Sequence, residues 1–183
     1  MNYPFLLKFS NVSNLSDARY AAGMWADFIG FCFDPSSPDY IEPAKAKEIA
    51  GWVNGPLITG EFGNQPPEWI SDFVKAIPLH ALQLPGDYEN EAVVALELPI
   101  ILKVANPVQG KLWLHAKCLL TNDLTVFEQL KGMTELPVIL EVSYTSVVPA
   151  NTPEGIALAG KSETSPGTRN QDDWTTFLEK YSD

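Results

Sequence analysis

Eight short apolar runs recur along the chain, and most are closed by Asn, Asp or Gly: PFLLKFSN (4–11), FIGFCFDP (28–35), PLITGEFGN (56–64), ALQLPGD (81–87), PIILKVAN (99–106), KLWLHAKC (111–118), PVILEVSY (137–144) and GIALAG (155–160). Runs of this length, bounded by turn residues and apolar on consecutive positions, fit strands buried on both faces, as in a parallel sheet. Segments with helical spacing separate the early runs. NLSDARYAAGMWA is expected to start with Ser16 as its N-cap, EPAKAKEIAGWV with Pro43 near the first helical position, and QPPEWISDFVKAI on Pro-Glu. Strand alternating with helix predicts a parallel sheet covered by helices.

The spacing tightens in the second half. Lys103 and His115 are read onto consecutive strands, so only about one turn of chain is left for the crossover between them. The segment TSVVPANTPE before GIALAG carries two prolines and no 3.6-residue period, so it too reads as a loop or single turn. The fold class expected is α/β: a trimmed (β/α)8 (TIM) barrel of eight parallel strands, with helices 5 and 7 reduced, spanning residues 1–183 as one domain. An open doubly wound sheet is the alternative, but the chain lacks the glycine-rich first turn that usually marks its ligand site.

One polar residue interrupts several runs at nearly the same offset before the closing turn: Lys8, Glu61, Gln83, Lys103, His115 and Glu141. Singly, each charge would be costly to bury; gathered at the C-terminal mouth of a barrel they can neutralise one another. Two readings stand at this point. The set is either structural, as a self-satisfied polar plug that fixes strand register or side chains pointing outward under the helices, or the lining of a ligand pocket, since such barrels bind at the ends of their strands.

Composition narrows the function classes. Twelve Lys+Arg against 23 Asp+Glu give a net charge of −11 without a basic cluster, which argues against nucleic acid and anionic membrane as partners. No apolar run reaches the roughly 18 residues of a membrane span, and the first residues do not read as a secretory leader, so a cytoplasmic protein is expected. Cys32 and Cys118 have neither metal-ligand nor disulfide-framework spacing and read as buried thiols; no metal or cofactor is expected. Trp25, Trp52, Trp69, Trp113 and Trp174 read as helix packing, with an association surface as the alternative.

The segment ADFIGFCFDPSSPDYIEPAKAKEI (26–49) resembles the second βα unit of the phosphoribosylanthranilate isomerases, tryptophan-pathway barrels patterned roughly A-D-x-x-G-F-x-F-x-P-x-S-P-R-Y-x-x-P-x-x-A-x-x-I. TGEFGNQPPEWI (59–70) is similar to that family's G-V-F-V-N-x-x-P-E-x-I, LQLPGD (82–87) to its Q-L-H-G-D/E, and ETSPGTRNQDD (163–173) to its closing E-x-x-P-G-x-K-D. The resemblance runs in order from Lys8 to about Phe177. It implies the barrel fold, an isomerase ancestry in amino-acid biosynthesis, no cofactor, a small-molecule ligand, and a monomer or homodimer.

The departures from the pattern fall on its chemistry. The family opens with K-I/V-C-G-L/I-T before an acidic residue and alanine; KFSNVSNLSDA keeps Lys8, Asp17 and Ala18 but has Ser10 for the cysteine and Asn11 for the glycine. In the family that cysteine is the general base of an Amadori rearrangement, taking a proton from C2 of the opened ribose. A thiol can be tuned to a thiolate, whereas an unassisted serine hydroxyl supplies no equivalent base near neutral pH. Asp39 stands where the family has arginine, replacing a cation that helps to hold an anionic substrate. His115 is matched to the family's general-acid aspartate on the sixth strand and would be able to donate a proton. The family grips phosphate on backbone N–H groups of a Gly-Gly and a Ser-Gly turn; the first reads here as EVSY, with Val142 and Ser143, and of the second only Gly160, Lys161 and Ser162 are similar.

Two functions of different class follow. One is a silent isomerase homologue whose mouth binds a metabolite or partner through Lys8, Glu61, Gln83, Lys103, Glu141, Gly160, Lys161 and Ser162. The other is an active isomerase of phosphoribosylanthranilate or another sugar phosphate that uses His115 with the Lys/Glu set.

Overall fold

In a computed structural model the chain is described for residues 3–143, 148, 154–159 and 171–181. Eight parallel strands close into a barrel in sequence order: β1 Leu6–Ser10, β2 Phe28–Cys32, β3 Leu57–Glu61, β4 Ala81–Pro85, β5 Ile100–Lys103, β6 Ala116–Thr121, β7 Val138–Val142 and β8 Gly155–Ala159. Each lies within its predicted run except β6. The ring closes where β1 pairs with β8, Lys8 opposite Ala157 and Ser10 opposite Ala159.

Helices α1 (Leu15–Gly23), α2 (Pro43–Gly51), α3 (Pro67–Ala76), α4 (Leu124–Met133) and α5 (Gln171–Glu179) cover the ring. Prolines at the first turns of α2 and α3 start those helices where a missing N–H costs nothing. Asn14, not Ser16, caps α1. Its Oδ1 accepts the Asp17 N–H at 2.8 Å and its Nδ2 donates to the Asp17 carboxylate at 2.9 Å, a reciprocal bond that a hydroxyl two residues further on is placed too late to make.

The crossovers after β4 and β5 are short 3₁₀ segments, Glu91–Leu96 and Lys111–His115. The fifth agrees with the single turn read from the spacing; the fourth was not foreseen, and most of the seventh lies outside the described residues. The run KLWLHAKC therefore splits: its first part is the 3₁₀ turn and its end enters β6. Leu112 and Trp113, adjacent in sequence, are both buried in that turn, as consecutive residues of the doubly covered strands also are. Gly110 opens that turn against the backbone carbonyl of Gly86, where a side chain would collide.

Two cores result. Between ring and helices, Phe33, Phe62, Trp69 and Phe73 stack under α3, and Phe9, Tyr20 and Trp174 join β1 to α1 and α5. Inside the ring, Ile101, Cys118, Leu120, Ile139 and Ala157 form a separate apolar layer. Trp113 and Trp174 are buried and Trp69 packs on the core, but Trp25 and Trp52 are 73% and 62% exposed, so the packing expectation fails for those two. Arg19 lies over the Trp52 ring, 5.9 Å from its centroid. Among the described residues no helix is long and apolar enough to cross a membrane.

Candidate functional site at the barrel mouth

Alternation along each strand decides what reaches the interior. In register, Cys32 lies beside Glu61, Glu61 beside Gln83, Pro85 beside Lys103, Lys103 beside Leu120, and Glu141 beside Ala157. These positions share the inward face near the C-terminal ends. Lys8, two residues below the end of β1, is wholly buried.

Lys8 Nζ forms an ion pair with Glu61 Oε1 and donates to Ser10 Oγ at 2.6 Å. The pair ties β1 to β3 across β2, and Gly30 makes room for it: a Cβ there would strike the Glu61 carboxylate and the Lys8 ammonium. Glu61 Oε2 accepts the Asn11 N–H at 3.1 Å, and Asn11 Nδ2 donates to Asp39 Oδ2 at 3.0 Å. Asn11 has φ 55°, a left-handed conformation that asparagine tolerates better than most residues. The positions matched to the family's base, glycine and arginine thus belong to one hydrogen-bonded string.

On the other side Lys103 Nζ meets Glu141 Oε2 at 2.6 Å, bridging β5 and β7 over β6. Here the polar set stops short of satisfying itself. Glu141 Oε1, Gln83 Oε1 and Thr59 Oγ1 are buried and have no hydrogen-bond partner. The mouth thus holds two ion pairs, β1 to β3 and β5 to β7, beside unpartnered acceptors on β3, β4 and β7.

The loops above are laced together. Asp34 accepts from the Ser36 N–H at 2.9 Å, the Ser36 hydroxyl at 2.8 Å and Gln65 Nε2 at 3.0 Å. Burial pulls this carboxyl upward, but those three donors outweigh it and hold it below the usual carboxylate range. Gln65 also accepts the Gly63 N–H at 2.7 Å, and Tyr88 donates to the Gln65 carbonyl at 2.8 Å, which joins the β2, β3 and β4 loops.

Both thiols are free and buried, as expected. Burial pushes Cys118 up to about 11 despite the nearby Lys8. Burial also raises Cys32, opposed by hydrogen bonding with Ser37 and the Asp34 backbone. Among the described residues no group of three or more His, Cys, Asp or Glu side chains is arranged to hold a metal.

His115 does not belong to the mouth. It ends the 3₁₀ turn before β6, exposed at the N-terminal end of that strand, opposite the other members of the set. The cause is the six-residue strand Ala116–Thr121, which begins after the histidine; its inward residue level with Lys103 is the apolar Leu120. Gly160, Lys161 and Ser162 lie outside the described residues. Asn11, Thr59 and Cys32 join the site beyond the residues expected from the sequence; Thr59 lies two positions before Glu61, and Cys32, the register partner of Glu61, ends β2.

No protein-family model matches the chain. Among curated proteins it is 31% identical over 105 residues to the N-(5'-phosphoribosyl)anthranilate isomerase of Syntrophus aciditrophicus, covering 57% of this chain and 46% of that one. It is 40% identical over 72 residues to the same-named protein of Dechloromonas aromatica, covering 39% and 34%. The chain thus spans less than half the length of these relatives. In fold the likeness extends along nearly the whole chain: the phosphoribosyl anthranilate isomerase of Thermus thermophilus superposes with a TM-score of 0.77 at 22% identity, over 97% of this chain and 100% of that one. The Thermotoga maritima structure gives 0.74 at 22% identity, over 97% and 98%. The chain is thus similar over part of its length to phosphoribosylanthranilate isomerases and shares their barrel fold.

Proposed function

We propose that this barrel lacks the parent Amadori isomerisation and binds a small metabolite at the C-terminal mouth. One observation carries the reading. Ser10, at the position of the family's base, accepts a hydrogen bond from a fully buried lysine whose charge is balanced by Glu61. A hydroxyl that accepts from an ammonium is held away from the alkoxide-forming role a base needs, because nothing beside it takes its proton. Neither thiol makes up the loss, since burial keeps Cys32 and Cys118 protonated near neutral pH. Asp39 hydrogen-bonds Asn11 instead of presenting a cation to an anionic substrate.

The test is turnover of phosphoribosylanthranilate by the purified chain, followed by loss of anthranilate fluorescence, beside a Ser10→Cys, Asp39→Arg variant. The natural sequence is expected to give no turnover above the uncatalysed rate. A rate typical of metabolic enzymes, roughly 1–1000 per second, overturns the proposal.

A second reading rests on Lys103 and Glu141. Their pair leaves one carboxylate oxygen without a partner beside a lysine side chain that is 39% exposed, an arrangement suited to moving a proton. An isomerase working this way would lose its activity in Glu141→Gln and would not depend on His115, which lies at the far end of the barrel.

A further inference from the structure

The charge of the mouth specifies what class of ligand it takes, given that a metabolite binds there as proposed above. Among the described residues, the loops leading from the strand ends to the following helices carry Asp34, Asp39, Glu42, Asp87, Glu89 and Asp123 and no lysine or arginine, with Glu89 paired at 2.7 Å to Lys111 of the next turn. The two cations beneath them are already engaged, Lys8 by Glu61 and Lys103 by Glu141. A rim of one sign of charge repels ligands of that sign and attracts those of the other.

Acidity alone would not make a site. The second observation is the pair of acceptors facing inward from β4 and β7. Gln83 is 6% exposed and Glu141 8%, and each has a buried oxygen without a donor. Such an oxygen costs stability unless something donates to it. Both lie in the strand layer under the acidic loops, and Thr59 Oγ1 sits on β3 two residues below Gln83's neighbour Glu61.

We infer that the mouth is a receptor for a small ammonium-bearing, hydrogen-bond-donating molecule, with Glu141 Oε1 taking the ammonium and Gln83 Oε1 a hydroxyl or N–H donor. The ligand class is an amino alcohol or amino sugar. A phosphate ester would bring negative charge against Glu141 and the rim while leaving both orphaned oxygens without donors.

The experiment is an NMR titration of the full chain with ethanolamine, glucosamine, inorganic phosphate and anthranilate, reading the Gln83 side-chain amide and the Thr59 methyl. The amines are expected to shift both signals saturably in the millimolar range, and phosphate and anthranilate to leave them in place. Glu141→Gln should weaken amine binding at least tenfold. Gln83→Leu should abolish the preference for glucosamine over ethanolamine while raising the melting temperature, because it removes a buried acceptor that has no donor. Tighter binding of phosphate or anthranilate than of either amine, amine shifts unchanged by Glu141→Gln, or no saturable amine shift at all would each overturn the inference. An anionic ligand at the mouth leaves the metabolite-binding reading intact and only its class wrong; that broader reading fails separately, in the turnover assay.

Discussion

Asn11 Nδ2 donates to Asp39 Oδ2 at 3.0 Å, so the two residues read from the resemblance as replacing a glycine and an arginine are bonded to each other. A glycine at position 11 would have no side chain to offer Asp39. The two replacements form one unit, and a double-mutant cycle should register it. Asn11→Gly and Asp39→Ala are expected to couple by about 1 kcal/mol, the size of one hydrogen bond to a partly exposed carboxylate. Denaturant unfolding of the four proteins measures it; additive effects would mean the contact does not hold in solution.

The buried Lys8–Glu61 pair predicts an asymmetry. Lys8→Met alone strands a carboxylate in the barrel, and Glu61→Leu alone strands an ammonium; each should cost about 3–5 kcal/mol. The double substitution removes both charges and should be much milder than the sum of the singles. Urea midpoints of the three variants decide this.

Gly30→Ala tests the same pair from the neighbouring strand. The added methyl meets the Glu61 carboxylate and the Lys8 ammonium rather than open space. Its cost should be roughly 1–3 kcal/mol. In a Lys8→Met, Glu61→Leu background, where flexible apolar chains replace the ion pair, the cost should shrink.

Cys118 makes stability depend on alkaline pH. Its thiol titrates at about 11 when folded, against an ordinary value of 9.0. The folded state therefore holds its proton where the unfolded chain releases it, so the burial of a neutral thiol favours folding fully below pH 9 and the advantage declines as pH rises from 9 to about 11. Cys118→Ala should flatten that part of the stability profile. By the same logic, iodoacetamide at neutral pH should modify the folded chain slowly and the urea-unfolded chain quickly.

How much of this was legible beforehand follows from periodicity. Seven strands could be placed because each apolar run contained one strand and ended at its turn. The run at 111–118 defeated the same reading, since a 3₁₀ turn and a strand were joined with no polar break between them, and adjacent burial of Leu112 and Trp113 looks apolar in either conformation. That one misplacement carried His115 to the wrong end of the barrel. Lys8, Glu61, Gln83, Lys103 and Glu141 did converge, because inward alternation at strand ends follows from the sheet itself. Which of them would pair was not legible: the Lys8–Glu61 and Lys103–Glu141 contacts each skip a strand, a relation set by barrel tilt and not by any local spacing. The capping amide of Asn14 is likewise two positions from the expected Ser16, within the usual uncertainty of a helix boundary.

The short turns that replace full helices after β4 and β5 leave that part of the wall with less outer covering than the sector under α1, α2 and α3. Amide protons of Ile100–Lys103 should thus exchange with deuterium sooner than those of Phe28–Cys32, through local breathing that does not require global unfolding. The lysine that bridges to β7 stands on this thinner sector, so guest molecules arriving at the rim would meet the more yielding half of the ring.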